Sequence, residues 1–311
     1  MKCAWESLLA VLPGWLRPEV DNQGRGSLQE LRLRLGKPPE LVFAGKSLWL
    51  RRCIGQDDLN FCVNTASQYS PWAAQSIHQG YLTALGGHRI GVCGEAVMQN
   101  GLLQGIRKPE SLCIRVARDF PGIGEAPAKL RGNILLIGPP GSGKTTLLRD
   151  IARQISGEEA VAVVDERGEL FPPGLFDGGQ RLDVLRGCPK KEGVMLALRT
   201  MGPATIAVDE ITAREDCEAL VQAGWCGVRL LATVHAGSLS DLRTRELYRP
   251  LWESGLFQHF LVLDRYKNWY EERMTPECGN GSERCWLSQA AVPWGFLWPG
   301  HTKGKNGSFG I

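Results

Sequence analysis

No run of the sequence reaches the ~18 consecutive apolar residues that cross a bilayer as a helix, which argues against a helical membrane span. The short apolar stretch Leu8–Leu12 follows Glu6 and has only Lys2 as a basic flank, a poor secretory signal, so a cytoplasmic location is expected. Charge of one sign is also scarce: Lys+Arg 36 against Asp+Glu 33 leaves a net +3, without the basic footprint of a nucleic-acid binder. The five histidines do not cluster, and the ten cysteines form no CxxC pair. Cys278 and Cys285 have no histidine at ligand spacing, so reduced structural thiols are expected rather than a zinc site. Internal repeats are absent.

What remains is an ordinary globular composition, 43% hydrophobic and 22% charged over 311 residues, enough for about two domains. Residues 1–118 read as a mixed α+β domain. Leu31, Leu33 and Leu35 alternate with Arg32 and Arg34 as a strand does, and Gly36-Lys37-Pro38-Pro39 stops it. Leu41–Phe43 and Ser47–Leu50 flank a turn at Gly45-Lys46. Helices are expected over Asp57–Tyr69 and Trp72–Gln79, then strands over His88–Val97 and Leu112–Ala117. Residues 119–132, with Pro121, Gly122, Gly124 and Pro127, have the composition of a linker.

From Asn133 onward short apolar runs alternate with helical stretches, the pattern of a parallel α/β sheet: Ile134–Ile137, Thr145–Ile155, Val161–Val164, Gly193–Thr200, Thr205–Val208, Asp216–Ala223 and Leu230–Val234. A domain over 133–275 follows, and 276–311 is a Gly-rich tail with Trp286, Trp294 and Trp298, expected to be poorly ordered and dispensable for hydrolysis.

Four motifs sit at strand ends. Gly138-Pro139-Pro140-Gly141-Ser142-Gly143-Lys144-Thr145, followed by Thr146, fits G-x-x-x-x-G-K-[ST] between a strand and a helix. Glycines there let backbone N–H groups wrap phosphate, Lys144 reaches β- and γ-phosphates, and the Thr145 hydroxyl is a Mg²⁺ ligand. Asp209-Glu210 ends an apolar strand, Asp209 placed to hold Mg²⁺ and Glu210 to orient a water. Asp165-Glu166-Arg167-Gly168-Glu169 ends another, a cluster able to polarise water or to bind an oxygen in the second shell of Mg²⁺, and the catalytic acid stays open between Glu210 and the Asp165/Glu166 pair. Thr233-Val234-His235 ends a third, where hydroxyl and imidazole can sense a γ-phosphate.

The order of these motifs, with Arg199…Pro203 before the second acidic strand and Gly227…Thr233-Val234-His235 last, resembles the secretion-superfamily ATPases of type II and type IV secretion and pilus assembly. Within it, LAVLP (9–13), ELRLRL (30–35), GYLTALGGHRIGVCG (80–94), DER (165–167) and DVLRGCPKKEG (183–193) resemble the stage III sporulation AA family, over roughly residues 7–265. The resemblance implies an α+β N-terminal domain before a RecA-like P-loop ATPase domain, ATP and Mg²⁺ as ligands, and a homo-hexameric ring. It further implies a place against the mother-cell membrane facing the forespore, reached through a membrane partner similar to stage III sporulation protein AB, and a role in powering the channel complex there. The N-terminal domain, with Gly86-Gly87-His88-Arg89 as a mark of the sporulation branch, is the expected docking face. In this architecture nucleotide lies between the two domains and near a neighbouring subunit, which makes Arg107, Arg115 and Arg199 the arginines expected to meet it. Two alternatives stay open: a clamp-loader-like or helicase-loader-like ATPase acting on DNA, and a nucleotide-gated scaffold with little turnover.

Overall fold

The computed structural model describes residues 2–68, 80–99, 101–172 and 176–272. Two sheets organise them. The first is antiparallel, in the order β3-β2-β1-β6-β5-β4: β1 Glu30–Arg34, β2 Glu40–Phe43, β3 Lys46–Trp49, β4 Tyr81–Thr83, β5 Arg89–Gln99 and β6 Leu102–Arg115. The period-two pattern is realised in β1, where Leu31 and Leu33 are buried while Arg32 and Arg34, alternating with them, are half-exposed. One face packs on helices α1 (Trp5–Val11), α2 (Leu16–Gly24) and α3 (Gln56–Ala66), burying Leu8, Leu16, Leu59 and Cys62 against Leu41, Ile90, Val92, Leu112 and Ile114.

The hairpin β5–β6 runs much longer than the sequence pattern indicates. Its last strand starts at Leu102 rather than Leu112, because bulges at Gly94 and Ala96 and the proline at 109 disguise the alternation. Helix 72–79, expected from the sequence, lies outside the described residues, as does the tail 276–311.

The second sheet has the order β13-β12-β7-β11-β10-β8-β9, parallel throughout except for the antiparallel edge strand β13. Its strands are β7 Asn133–Ile137, β8 Val161–Asp165, β9 Leu182–Arg186, β10 Thr205–Ile211, β11 Arg229–Val234, β12 Phe257–Leu263 and β13 Trp269–Glu272. Both faces are covered, so the central strands are continuous apolar runs rather than alternating ones. Ile134 and Leu136 face α5 (Lys144–Ile155), while Leu135 and Ile137 face α6 (Lys190–Thr200) and α7 (Arg214–Trp225). Further helices there are α8 (Leu239–Thr244) and α9 (Arg249–Glu253).

Residues 119–132 form a packed connector. They carry α4 (Glu125–Ala128), bury Phe120, and lay Ile123, Ala128 and Leu130 on the α5 face of the second sheet. The glycines serve close approach: a Cβ on Gly124 would lie 2.5 Å from the backbone nitrogen of Ile151. Asp150 of α5 accepts the N–H groups of Gly122 and Gly124 at 2.9 and 2.7 Å. Arg153, one turn on, bridges Asp150 and the buried Asp119. The helix that begins at the phosphate-loop lysine is thus tied directly to the segment joining the two sheets.

Candidate active site

Strand β7 delivers the chain into the loop 138–143, and α5 starts at Lys144. Gly141 and Gly143 take φ of +76° and +96°, a region that L side chains avoid. Gly138 is needed for space: a Cβ there would meet the Ser142 Oγ at 2.6 Å and the Leu263 carbonyl at 2.9 Å. Lys144 folds back into the loop, donating to the carbonyls of Gly138 and Pro139 at 2.8 and 3.0 Å. Its burial pushes the ammonium down to about 8, against the opposing pull of the Asp209 and Glu210 carboxylates.

The second acidic strand presents a stereochemical problem. Neighbouring residues on a strand point to opposite faces, yet Asp209 and Glu210 both line one cavity of about 390 Å³ beside the loop. A register shift between Val208 and Ile211 resolves it: Glu210 adopts φ +53° in a bulge, which turns both carboxylates the same way. Asp209 accepts from the Thr145 hydroxyl at 2.7 Å and from the buried Thr233 hydroxyl at 2.6 Å. Thr233 Oγ1 in turn accepts the Glu210 N–H at 2.7 Å, which holds the bulge in place. Withdrawal from water pushes the Asp209 carboxyl up despite those hydroxyl bonds. His235 joins the two ends of the site. Lys144 donates to its Nδ1 at 3.1 Å, so the ring carries its proton on Nε2, which donates to Glu210 Oε1 at 3.3 Å.

The acidic box divides by residue. Asp165 is turned away from the cavity: its buried carboxylate accepts the N–H groups of Glu169, Leu170 and Phe171 at 2.9, 2.9 and 3.0 Å. Glu166 is paired with Lys190. Arg167 and Glu169 are the members that reach the cavity, Arg167 paired with Glu210 and Glu169 with Arg89 of β5. Burial pushes the Glu169 carboxyl up.

Of the residues singled out from sequence, Pro140, Gly141, Gly143, Lys144, Thr145, Thr146, Asp209, Glu210, Thr233, His235 and Arg115 line the cavity. Gly138, Pro139 and Ser142 form the loop's inner turn, its carbonyls and a buried hydroxyl. Asp165, Glu166, Arg107 and Arg199 lie elsewhere. Arg107 pairs with Glu95 on the outer hairpin, and Arg199 donates to the Met195 carbonyl on the exposed side of α6. Sequence reasoning passed over Arg89 and Lys267 as site residues, and within the acidic cluster 165–169 it singled out Asp165 and Glu166, whereas Arg167 and Glu169 are the members that line the cavity. Arg89 had a signal in the Gly-Gly-His-Arg motif; Lys267 had none. His88 of that motif is structural: fully buried, it accepts the Ala117 N–H on Nδ1 and donates from Nε2 to the Ala4 carbonyl.

Known proteins resemble the chain in sequence and in fold. The family profile described as "Sporulation stage III, protein AA" matches residues 7–273. Stage III sporulation protein AA of Bacillus subtilis (strain 168) is 38% identical over 267 residues, spanning 80% of this chain and 86% of that one. The uncharacterized protein ycf45 of Porphyra purpurea is 29% identical over 252 residues, 76% of this chain and 41% of that one. Among solved structures, the pilus retraction motor PilT with bound ADP superposes with a TM-score of 0.57 at 15% identity, covering 89% of this chain and 84% of that one. The Legionella pneumophila ATPase DotB gives 0.52 at 17% identity, with coverage of 81% and 76%. At such identities the likeness is one of fold, a RecA-like P-loop ATPase domain preceded by a smaller α+β domain. On the strength of the profile match and the Bacillus relative, the chain belongs to the sporulation stage III protein AA family.

Proposed function

We propose that the protein is a Mg²⁺-dependent ATPase of the secretion-motor kind, acting as a homo-hexamer to power a sporulation channel between mother cell and forespore. The observation that carries the ATPase reading is the convergence of Lys144, Thr145, Asp209, Glu210 and His235 on one cavity at the mouth of a glycine loop. Thr145 and Asp209 suit a hard divalent cation: two oxygen ligands 2.7 Å apart, one a carboxylate whose withdrawal from water a cation relieves. Held there by Thr145 and Asp209, Mg²⁺ would supply neutralisation of the phosphate charge.

The chain's own residues do the rest. Lys144 exchanges its two carbonyl partners for phosphate oxygens, and the loop N–H groups with the α5 N-terminus hold the remaining charge. Glu210 orients water for attack at the γ-phosphorus, and the bond to the β–γ bridging oxygen breaks to give ADP and phosphate. His235 connects Lys144 to Glu210, so the phosphate-facing cation and the water-orienting carboxylate sense each other.

The pairing of Glu210 with Arg167 also favours a second reading, a nucleotide-gated scaffold in which this contact keeps turnover low. ATPase rates with and without the membrane partner separate motor from scaffold. Lys144→Ala is expected to lose ATP binding and hydrolysis, and Glu210→Gln to keep binding and lose hydrolysis. Normal turnover in Glu210→Gln with loss in Glu166→Gln transfers the catalytic acid to the 165–169 box.

No helix of the described residues is long and apolar enough to cross a membrane. We propose that docking at the forespore membrane runs through the N-terminal domain, by way of a partner similar to stage III sporulation protein AB or of a surface patch. A fluorescent fusion is expected to gather there and to disperse when that partner is deleted.

A further inference from the structure

The strand order places the site's residues on two sides of the phosphate loop. β7, which feeds the loop, has β11 and then β10 on one flank and β12 on the other. His235, Asp209 and Glu210 all come from the β11–β10 flank. A polyphosphate seated in the loop therefore has its terminal phosphate on that flank, beside the residues that hold metal and water. Its nucleoside end runs toward the β12 flank.

That flank ends in a built turn between β12 and β13. The Asp264 carboxylate accepts the N–H groups of Tyr266 and Asn268 at 2.8 and 2.9 Å and the Asn268 amide at 3.1 Å. The main chain closes it with Lys267 N–H to the Asp264 carbonyl and Asp264 N–H to the Asn268 carbonyl, at 3.1 and 3.0 Å. Within this clasp Lys267 is held at φ +69°, a left-handed conformation unusual for a lysine. The strain has a geometric result. The side chain is directed over the phosphate loop, its Cγ 3.9 Å from where a Cβ on Gly143 would sit, and it lines the same cavity as Lys144.

We propose that Lys267 is a second nucleotide-binding residue, whose ammonium contacts the nucleoside-proximal phosphate of a nucleoside di- or triphosphate held in the loop. The inference rests on the nucleotide reading of the site and adds to it a contact from the opposite flank to the hydrolytic residues. Burial pushes the Lys267 ammonium down to about 8, a cost that a bound polyanion offsets. The nucleoside-proximal phosphate is present in both ATP and ADP and stays bonded through hydrolysis. The contact is thus made equally in ground and transition states, and its loss lowers kcat/KM through KM.

Lys267→Gly is the informative variant, since glycine takes φ +69° without strain and the turn keeps its Asp264 clasp. Titration with ATP and with ADP is expected to show affinity weakened by about tenfold or more for both, in proportion, the worth of a hydrogen bond between charged groups. Lys267→Arg is expected to recover most of it. Lys144→Ala runs alongside. Wild-type affinities in Lys267→Gly with loss in Lys144→Ala overturn the assignment of Lys267 and leave the site reading standing. A fall in kcat at unchanged KM, or a loss for ATP alone, also overturns it. Wild-type affinities in both variants mean that nucleotide binds away from this loop, and overturn the reading of the site itself.

Discussion

Replacing Asp165 by alanine separates a brace from a catalyst. The carboxylate is 3% exposed and accepts three successive backbone N–H groups, of which those of Leu170 and Phe171 are themselves buried. Alanine leaves these two donors without an acceptor in a space closed by the side chains of Leu170 and Phe171. Each orphaned donor costs about 1–3 kcal/mol, and relief from burying the carboxylate offsets part, for a net loss of about 2–4 kcal/mol. The damage travels: Arg149 of α5 donates to the carbonyls of Glu169 and Leu170, so the loosened segment also releases the helix behind the phosphate loop. Asparagine keeps one acceptor for Leu170 and Phe171 but turns an N–H toward that of Glu169, and falls between. In urea titrations the unfolding midpoint is expected to order wild type above Asp165→Asn above Asp165→Ala, with ATP affinity falling together with activity. An Asp165→Ala protein that unfolds at the wild-type midpoint and binds ATP normally, yet has lost kcat, refutes the reasoning and makes Asp165 a participant in the chemistry.

Other outcomes follow from the same structure. Gly124→Ala drives a methyl to 2.5 Å from the Ile151 nitrogen inside α5, an overlap worth about 1–3 kcal/mol, and a thermal melt is expected to shift down accordingly. Burial holds His88 below its ordinary value of 6.5, so the unfolded chain binds a proton there that the folded chain refuses. Stability is therefore lost as pH falls below about 6.5; melts from pH 7 to 5 are expected to show a decline that is shallower in His88→Gln. With the proposed ring, specific ATPase activity is expected to rise with protein concentration, and a flat profile from monomer to oligomer counts against a shared site.

The parallel sheet was legible because strands buried on both faces read as unbroken apolar runs, and β7, β8, β10 and β11 all do. β9 was missed because its residues are half-exposed at the sheet edge, where burial no longer selects for apolarity. β12 and β13 were missed for another reason: His259 and Gln258 interrupt the apolar run of β12, serving an ion pair with Glu271 and a cap on the Asn133 N–H. The connector 119–132 looked slack because its glycines and prolines are as frequent in linkers as in close-packed turns. Composition does not distinguish the two uses; the distance from Gly124 to Ile151 does.

The sequence by itself determined the phosphate loop, since the spacing of its glycines, lysine and threonine is a local property of a strand–turn–helix, and it determined the candidate acids at the strand ends. It left open which acid faces the site. Asp165 and Asp209 both end apolar strands, and one-dimensional pattern treats them alike. Tertiary structure separated them through a single bulge, which turns Asp209 and Glu210 into the cavity, and through a loop whose N–H groups claim Asp165. It also brought Arg89 and Arg115 from one sheet and Lys267 from the far edge of the other to the same cavity. Arg89 and Arg115 face each other across the β5–β6 hairpin, but Lys267 lies more than 150 positions further along the chain, and only the tertiary packing, set by which apolar faces bury one another, makes it their neighbour.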